Sequence, residues 1–111
     1  MIVSITKIKT KSIFTSMSLF GVEYRLKKQM KEEKCLKYRS LKLFRVAYTM
    51  TLWNDEAHML QFRNNGEHKK IMKDIAKIAV SAGYVSYESE KAPSWRSAIN
   101  MLNEKGKKVN Y

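Results

Sequence analysis

Two histidines, a single cysteine and a scatter of tyrosines and lysines are the main reactive side chains of this chain. His68 is the first to weigh. It stands in TLWNDEAHMLQFRNNGEHKKIMKDIAKIA, residues 51–79, just after the Asn64-Asn65-Gly66 break. A helix restarting there puts His68, Met72, Ile75, Ala76 and Ala79 on one face, and Lys69, Lys73 and Lys77 on another. An imidazole at the end of a core-facing stripe can line a cavity and act as general acid or base, because its unperturbed pKa is about 6.5. The same position also suits a histidine that only fills space or satisfies backbone at a helix start.

The other reactive groups carry less. Asp55, Glu56 and His58 have the composition of a metal cluster, but the spacing of His58 to His68 matches no i,i+4 ligand pair. An exposed helical histidine and no metal site are expected. Cys35 has Lys34 and Lys37 beside it, which favours thiolate, yet no histidine is near in sequence, so an inert thiol is expected. One cysteine rules out an internal disulfide and a thiolate zinc site, and a reducing, cytoplasmic setting follows as the expectation. The chain has no phosphate loop, nucleotide fingerprint or Gly-x-Ser-x-Gly elbow.

The elements that position these residues follow from periodicity. IVSITKIK (2–9) reads as a strand. Residues 16–33 carry Leu19, Val22, Leu26 and Met30 at helical spacing, with Ser16 or Ser18 as cap. Glu23 and Lys27 are placed for an i,i+4 pair, and Gly21 either costs helix stability or admits another backbone. LKYRSLKL (36–43) alternates but changes phase, which predicts a bulge or bend. RVAYTMTLW (45–53) alternates cleanly, with Val46, Tyr48, Met50 and Leu52 on one side and Ala47, Thr49, Thr51 and Trp53 on the other. Its link to the preceding strand lacks the turn residues a tight hairpin favours. The broken helix spans 55–81, with Asn54 or Asp55 as its cap, and its second piece covers 67–80 with Gly83 as the stop. YVSYESE (84–90) is the last predicted strand. Pro93 opens a final helix bearing Trp95, Ala98, Ile99 and Leu102, closed by Gly106.

This order, β-α-β-β-α-β plus a terminal helix, predicts an α+β, ferredoxin-like domain over residues 1–111. Helices cover one face of the sheet, and the mixture on strand 45–53 calls for cover on the other. A second copy of the chain is the simplest cover. No apolar run is long enough for a signal peptide or a membrane span, so neither export nor membrane insertion is expected. The net charge of +12 allows nucleic acid as a partner. However, only Arg25, Arg39, Arg45, Arg63 and Arg96 among the 22 basic residues are arginine, and IVSITKIK lacks the aromatics of an RNA-reading strand.

Trp53-Asn54-Asp55-Glu56-Ala57, followed by Phe62, Gly66, His68 and Met72, resembles the dimeric α/β-barrel superfamily, in particular the antibiotic-biosynthesis-monooxygenase-like and spheroidene-monooxygenase-like proteins. Pro93-Ser94-Trp95 with Ala98 and Leu102 is similar to the tail of such proteins. The resemblance implies a homodimer of ferredoxin-like protomers with sheets face to face and a pocket between sheet and helices. It also implies a cofactor-independent monooxygenase-like enzyme, or a binder of small apolar or aromatic ligands, needing neither cofactor nor metal. Haem ligation is not carried over, because the gap from Trp53 to His68 is too long. On this reading His68 is the catalytic base, and Phe20, Tyr48, Met50, Trp53, Phe62, Met72 and Trp95 bind the ligand. The alternative is a basic nucleic-acid-binding module on the same sheet.

Overall fold

The computed structural model describes residues 1–12, 19–32 and 35–111; the side chains of Leu19, Phe20, Glu32 and Glu67 lie outside that description, as do Ser16 and Ser18. The elements are β1 (Ile2–Thr10), α1 (Leu19–Glu32), β2 (Lys37–Leu43), β3 (Val46–Trp53), α2 (Glu56–Asn64), α3 (Gly66–Ile78), β4 (Ala79–Glu88), α4 (Trp95–Lys105) and β5 (Lys107–Asn110). They build one sheet in the order β2-β3-β1-β4-β5, with every neighbour antiparallel. This is the ferredoxin-like arrangement predicted, extended by α4 and a short edge strand, β5.

Alternation sorts the side chains onto two faces. Val3, Ile5, Tyr48, Met50, Leu52 and Val85 point one way and are covered by Ala98 and Leu102 of α4. On the other face Ile8 packs against Val22 of α1 and Ile71 and Ile75 of α3. Trp53 lies there too, among Met30 of α1 and Met59 and Phe62 of α2. The sheet therefore has one helix on one side and three on the other. Among the described residues, no helix is long and apolar enough to cross a membrane.

Local chemistry explains the joints. Asp55 caps α2 by accepting from the His58 backbone N–H at 2.9 Å. Asn65 leaves the helix in extended conformation, and α3 restarts at Gly66. Ser94 caps α4 through the Ser97 N–H. Arg25 donates to Asp74 at 2.7 Å and ties α1 to α3. Glu23 sits at the limit of reach of Lys27, 4.0 Å away, and is held instead by Tyr38 Oη at 2.8 Å and by Lys42 Nζ. Burial disfavours the Glu23 carboxylate, but hydrogen bonds from Lys42, Tyr38 and Ser40 outweigh it and lower its pKa.

Four local expectations are settled differently or more narrowly. The bulge predicted in 36–43 is absent: β2 pairs with β3 in unbroken register from Lys37↔Leu52 to Leu43↔Val46. Its phase change reflects an edge strand, where Leu43 stays half exposed without penalty to the core. The helix of residues 67–80 stops at Ile78, and Gly83 is no stop but a mid-strand residue opposite Lys7 and Lys108. Pairing with β1 captures the chain from Ala79 onward, before any loop is needed. Among the described residues Gly21 meets no other backbone, since none of them lies within 4 Å of an added Cβ. The hairpin at Phe44-Arg45 is tight despite its sequence. Phe44 adopts φ 54°, and Arg45 is pinned to Thr10 by hydrogen bonds in both directions.

Candidate functional site

A cavity of about 540 Å³ opens between the sheet and helices α1–α3. Its floor is Ser4 and Thr6 of β1, Thr49 and Thr51 of β3, and Ala82 and Tyr84 of β4. Its walls are apolar: Leu26 and Met30 of α1, Met59 and Phe62 of α2, Met72 and Ile75 of α3. Arg63, Lys69 and Lys73 complete the ring, and Val109 and Tyr111 close the side next to β5. The volume and mostly apolar lining fit a small organic ligand.

At one end three rings stand in series. The Trp53 ring is 5.1 Å from that of Phe62, and Phe62 is 4.8 Å from His68 in an edge-on contact at 67°. The Trp53 indole N–H donates to Thr51 Oγ1 at 2.9 Å, so this fully buried ring has its one polar atom satisfied. His68 occupies the first turn of α3 and is half-buried. Burial lowers its pKa, and the nearby Arg63 guanidinium lowers it further, against a hydrogen bond between the ring and the Arg63 backbone. A nitrogen that donates to a carbonyl leaves the other ring nitrogen as acceptor in the neutral imidazole. Burial and Arg63 thus favour the neutral form of His68 at the cavity wall, where one ring nitrogen is placed to accept a proton.

Solved structures share this fold. A point mutant of SnoaB, a cofactor-independent oxygenase from Streptomyces nogalater, superposes with TM-score 0.70 at 5% identity over 82% of this chain and 94% of its own. A candidate antibiotic biosynthesis monooxygenase from Deinococcus radiodurans gives 0.73 at 11% identity over 85% and 97%. Another antibiotic biosynthesis monooxygenase gives 0.71 at 14% over 82% and 100%. The chain has the fold of the antibiotic biosynthesis monooxygenases. No family model and no curated protein matches the sequence.

Within the antibiotic biosynthesis monooxygenase fold, Trp53, Phe62, His68 and Met72 of the expected site residues line one cavity. Tyr48, Met50 and Trp95 do not. They belong to the opposite face, where Tyr48 and Trp95 lie 6.4 Å apart beside α4. The cause is parity: on β3, Tyr48 and Met50 are even and Trp53 is odd, so a pleated strand cannot send them into one pocket. The side chain of Phe20 lies outside the described residues.

His58 is turned to the outside. Its Nδ1 lies 2.8 Å from Asp55 Oδ1, and it takes no part in the cavity. Among the described residues no group of His, Cys, Asp or Glu is arranged to hold a metal ion. Cys35 Sγ donates weakly to the Lys37 and Leu52 carbonyls, and burial raises its pKa, which disfavours the thiolate. Tyr84, one of the strand tyrosines whose hydroxyls could serve a pocket or only pack the sheet, lines the cavity, whereas Arg63, Lys69, Lys73 and Tyr111 are cavity residues that the sequence did not single out. The i,i+4 spacing of Lys69 and Lys73 was the available signal, since both follow His68 along the same helix.

Proposed function

We propose that this protein binds a planar apolar molecule in the cavity and oxidises it with dioxygen, in the manner of a cofactor-independent monooxygenase. The observation that carries the reading is the His68 ring at the wall of a roomy apolar cavity, where burial favours its neutral form. Its free ring nitrogen removes a proton from an electron-rich ligand, such as a hydroxylated aromatic. The resulting anion passes one electron to dioxygen, and the radical pair combines to form a carbon–oxygen bond. The hydroperoxide then loses water and leaves a carbonyl. The proton held by His68 returns to the peroxide, one oxygen atom enters the product as the carbonyl, the other leaves as water, and the ligand supplies all four electrons. Methionine and aromatic walls exclude bulk water and favour a flat hydrophobic body. SnoaB, named as a cofactor-independent oxygenase, has the same fold and supports the choice of reaction.

A homodimer is part of this reading. The edge around β2 leaves Leu36 and Leu43 half exposed, which a second copy would cover. The nucleic-acid alternative gains nothing from the sheet, because α4 lies across the face that carries Tyr48 and that ring is itself buried.

The test is His68→Ala. The variant stays folded by circular dichroism but loses oxygen uptake with hydroxynaphthalene substrates turned over by the parent. A folded variant with the parent's turnover would remove His68 from the mechanism.

A further inference from the structure

The charges around the cavity are one-sided. Arg63, Lys69 and Lys73 line it, and no described Asp or Glu does. Among the described acids of the neighbouring elements, Glu23 is engaged with Tyr38 and Lys42, Asp74 with Arg25, and Asp55 with the start of α2 and His58. Exposed lysines are ordinary, but Arg63 is not an ordinary surface cation. It is half-buried at the end of α2, and its guanidinium sits 5.2 Å from the centroid of the Tyr84 ring on β4. That contact fixes the group beside the cavity floor. Its charge also reaches His68, where it opposes protonation.

We infer that the cavity selects a planar hydrophobic acid, with a carboxylate held by Arg63 and supported by Lys69 and Lys73. This rests on the cavity being a ligand site. The rigid guanidinium fork suits a carboxylate, and the two lysines, one turn apart on α3, add attraction at longer range. The apolar body then lies among Met30, Met59, Phe62 and Met72. Because Arg63 and His68 are neighbours, a docked carboxylate places the adjoining ring position near the His68 base. The same cation stabilises negative charge that develops there. The net charge of +12 steers such acids toward the protein.

Matched probes test this. Calorimetric titration compares 1-hydroxy-2-naphthoate with uncharged 1-naphthol on the parent, on Arg63→Gln, on a Lys69→Gln, Lys73→Gln double variant and on Ala76→Trp, which fills the cavity. The parent prefers the acid by about tenfold. Arg63→Gln removes most of that preference, read as the ratio of the two probes' affinities on the same variant. The double variant, altered only at exposed side chains, reduces the preference by a smaller factor, so the inference stays testable if Arg63→Gln fails to fold. Ala76→Trp abolishes binding of both probes. Equal affinity of the parent for the two probes would overturn the selection of an acid while leaving the cavity as a ligand site. Acid binding that survives Ala76→Trp would overturn it in favour of surface lysines. No binding of either probe up to about 1 mM would overturn the ligand-site reading beneath it.

Discussion

The ring of His68 meets the ring of Phe62 edge-on, with 4.8 Å between centroids. Phe62 lies in the last turn of one helical piece, before the Asn64-Asn65-Gly66 break, and His68 lies in the first turn of the next. The break is therefore what lets the histidine turn onto the aromatic wall. A continuous helix would place residues six apart on different faces.

The first prediction concerns pH. The His68 pKa is lowered in the folded protein by burial and then by Arg63. The unfolded chain therefore takes up this proton first. Stability from the neutral ring is complete above about pH 6.5 and is lost as pH falls from there toward the folded value. Glu23, Asp55 and Asp74 also have lowered values, so their contributions are lost in a more acidic window. Urea unfolding at pH 7.5 and 5.5 checks this: His68→Asn shows a smaller loss across that interval than the parent. An equal loss in both proteins would mean that another group titrates there.

Thr51→Val removes the acceptor of the Trp53 indole. The indole is fully buried, so an orphaned N–H costs about 1–3 kcal/mol. The midpoint of urea unfolding falls accordingly, with an unchanged slope. Retention of the parent's midpoint would show that the indole finds another acceptor.

Phe44→Gly should raise stability. Phe44 is a bulky residue at φ 54°, and its side chain is 88% exposed. Relief of left-handed strain exceeds the added flexibility of glycine by about 0.5–1 kcal/mol. Thermal unfolding reads the gain as a higher midpoint, and a lower midpoint would show that the exposed ring contributes more than its backbone costs.

Much of this architecture was legible because periodicity reports faces. Clean alternation located β3, and the 3.6-residue stripe placed Met72 and Ile75 beside His68. Parity was legible as well, but grouping Tyr48 and Met50 with Trp53 in one pocket crossed the sheet. What the sequence could not supply was which helices cover which face, because both faces of β3 carry residues fit for burial. The short β5 was missed for a different reason. Its side chains are exposed and carry no pattern, yet its pairing with β4 brings Val109 to the cavity wall, and Tyr111 follows it there. The Phe44 hairpin is set by register across β2 and β3 and by the Arg45–Thr10 hydrogen bonds rather than by turn residues.

The central claim is that ligands enter between the sheet and α1–α3. The two tryptophans offer an internal comparison, since Trp53 faces this cavity and Trp95 lies on the opposite side of the sheet. The most direct measurement is an NMR titration with 1-naphthol that follows both indoles, the His68 imidazole and the methionine methyls. The account predicts saturable shifts at Trp53, His68, Met59 and Met72, with Trp95 still. Shifts centred on Trp95 and Met101, or none at the cavity residues at saturating ligand, would contradict it.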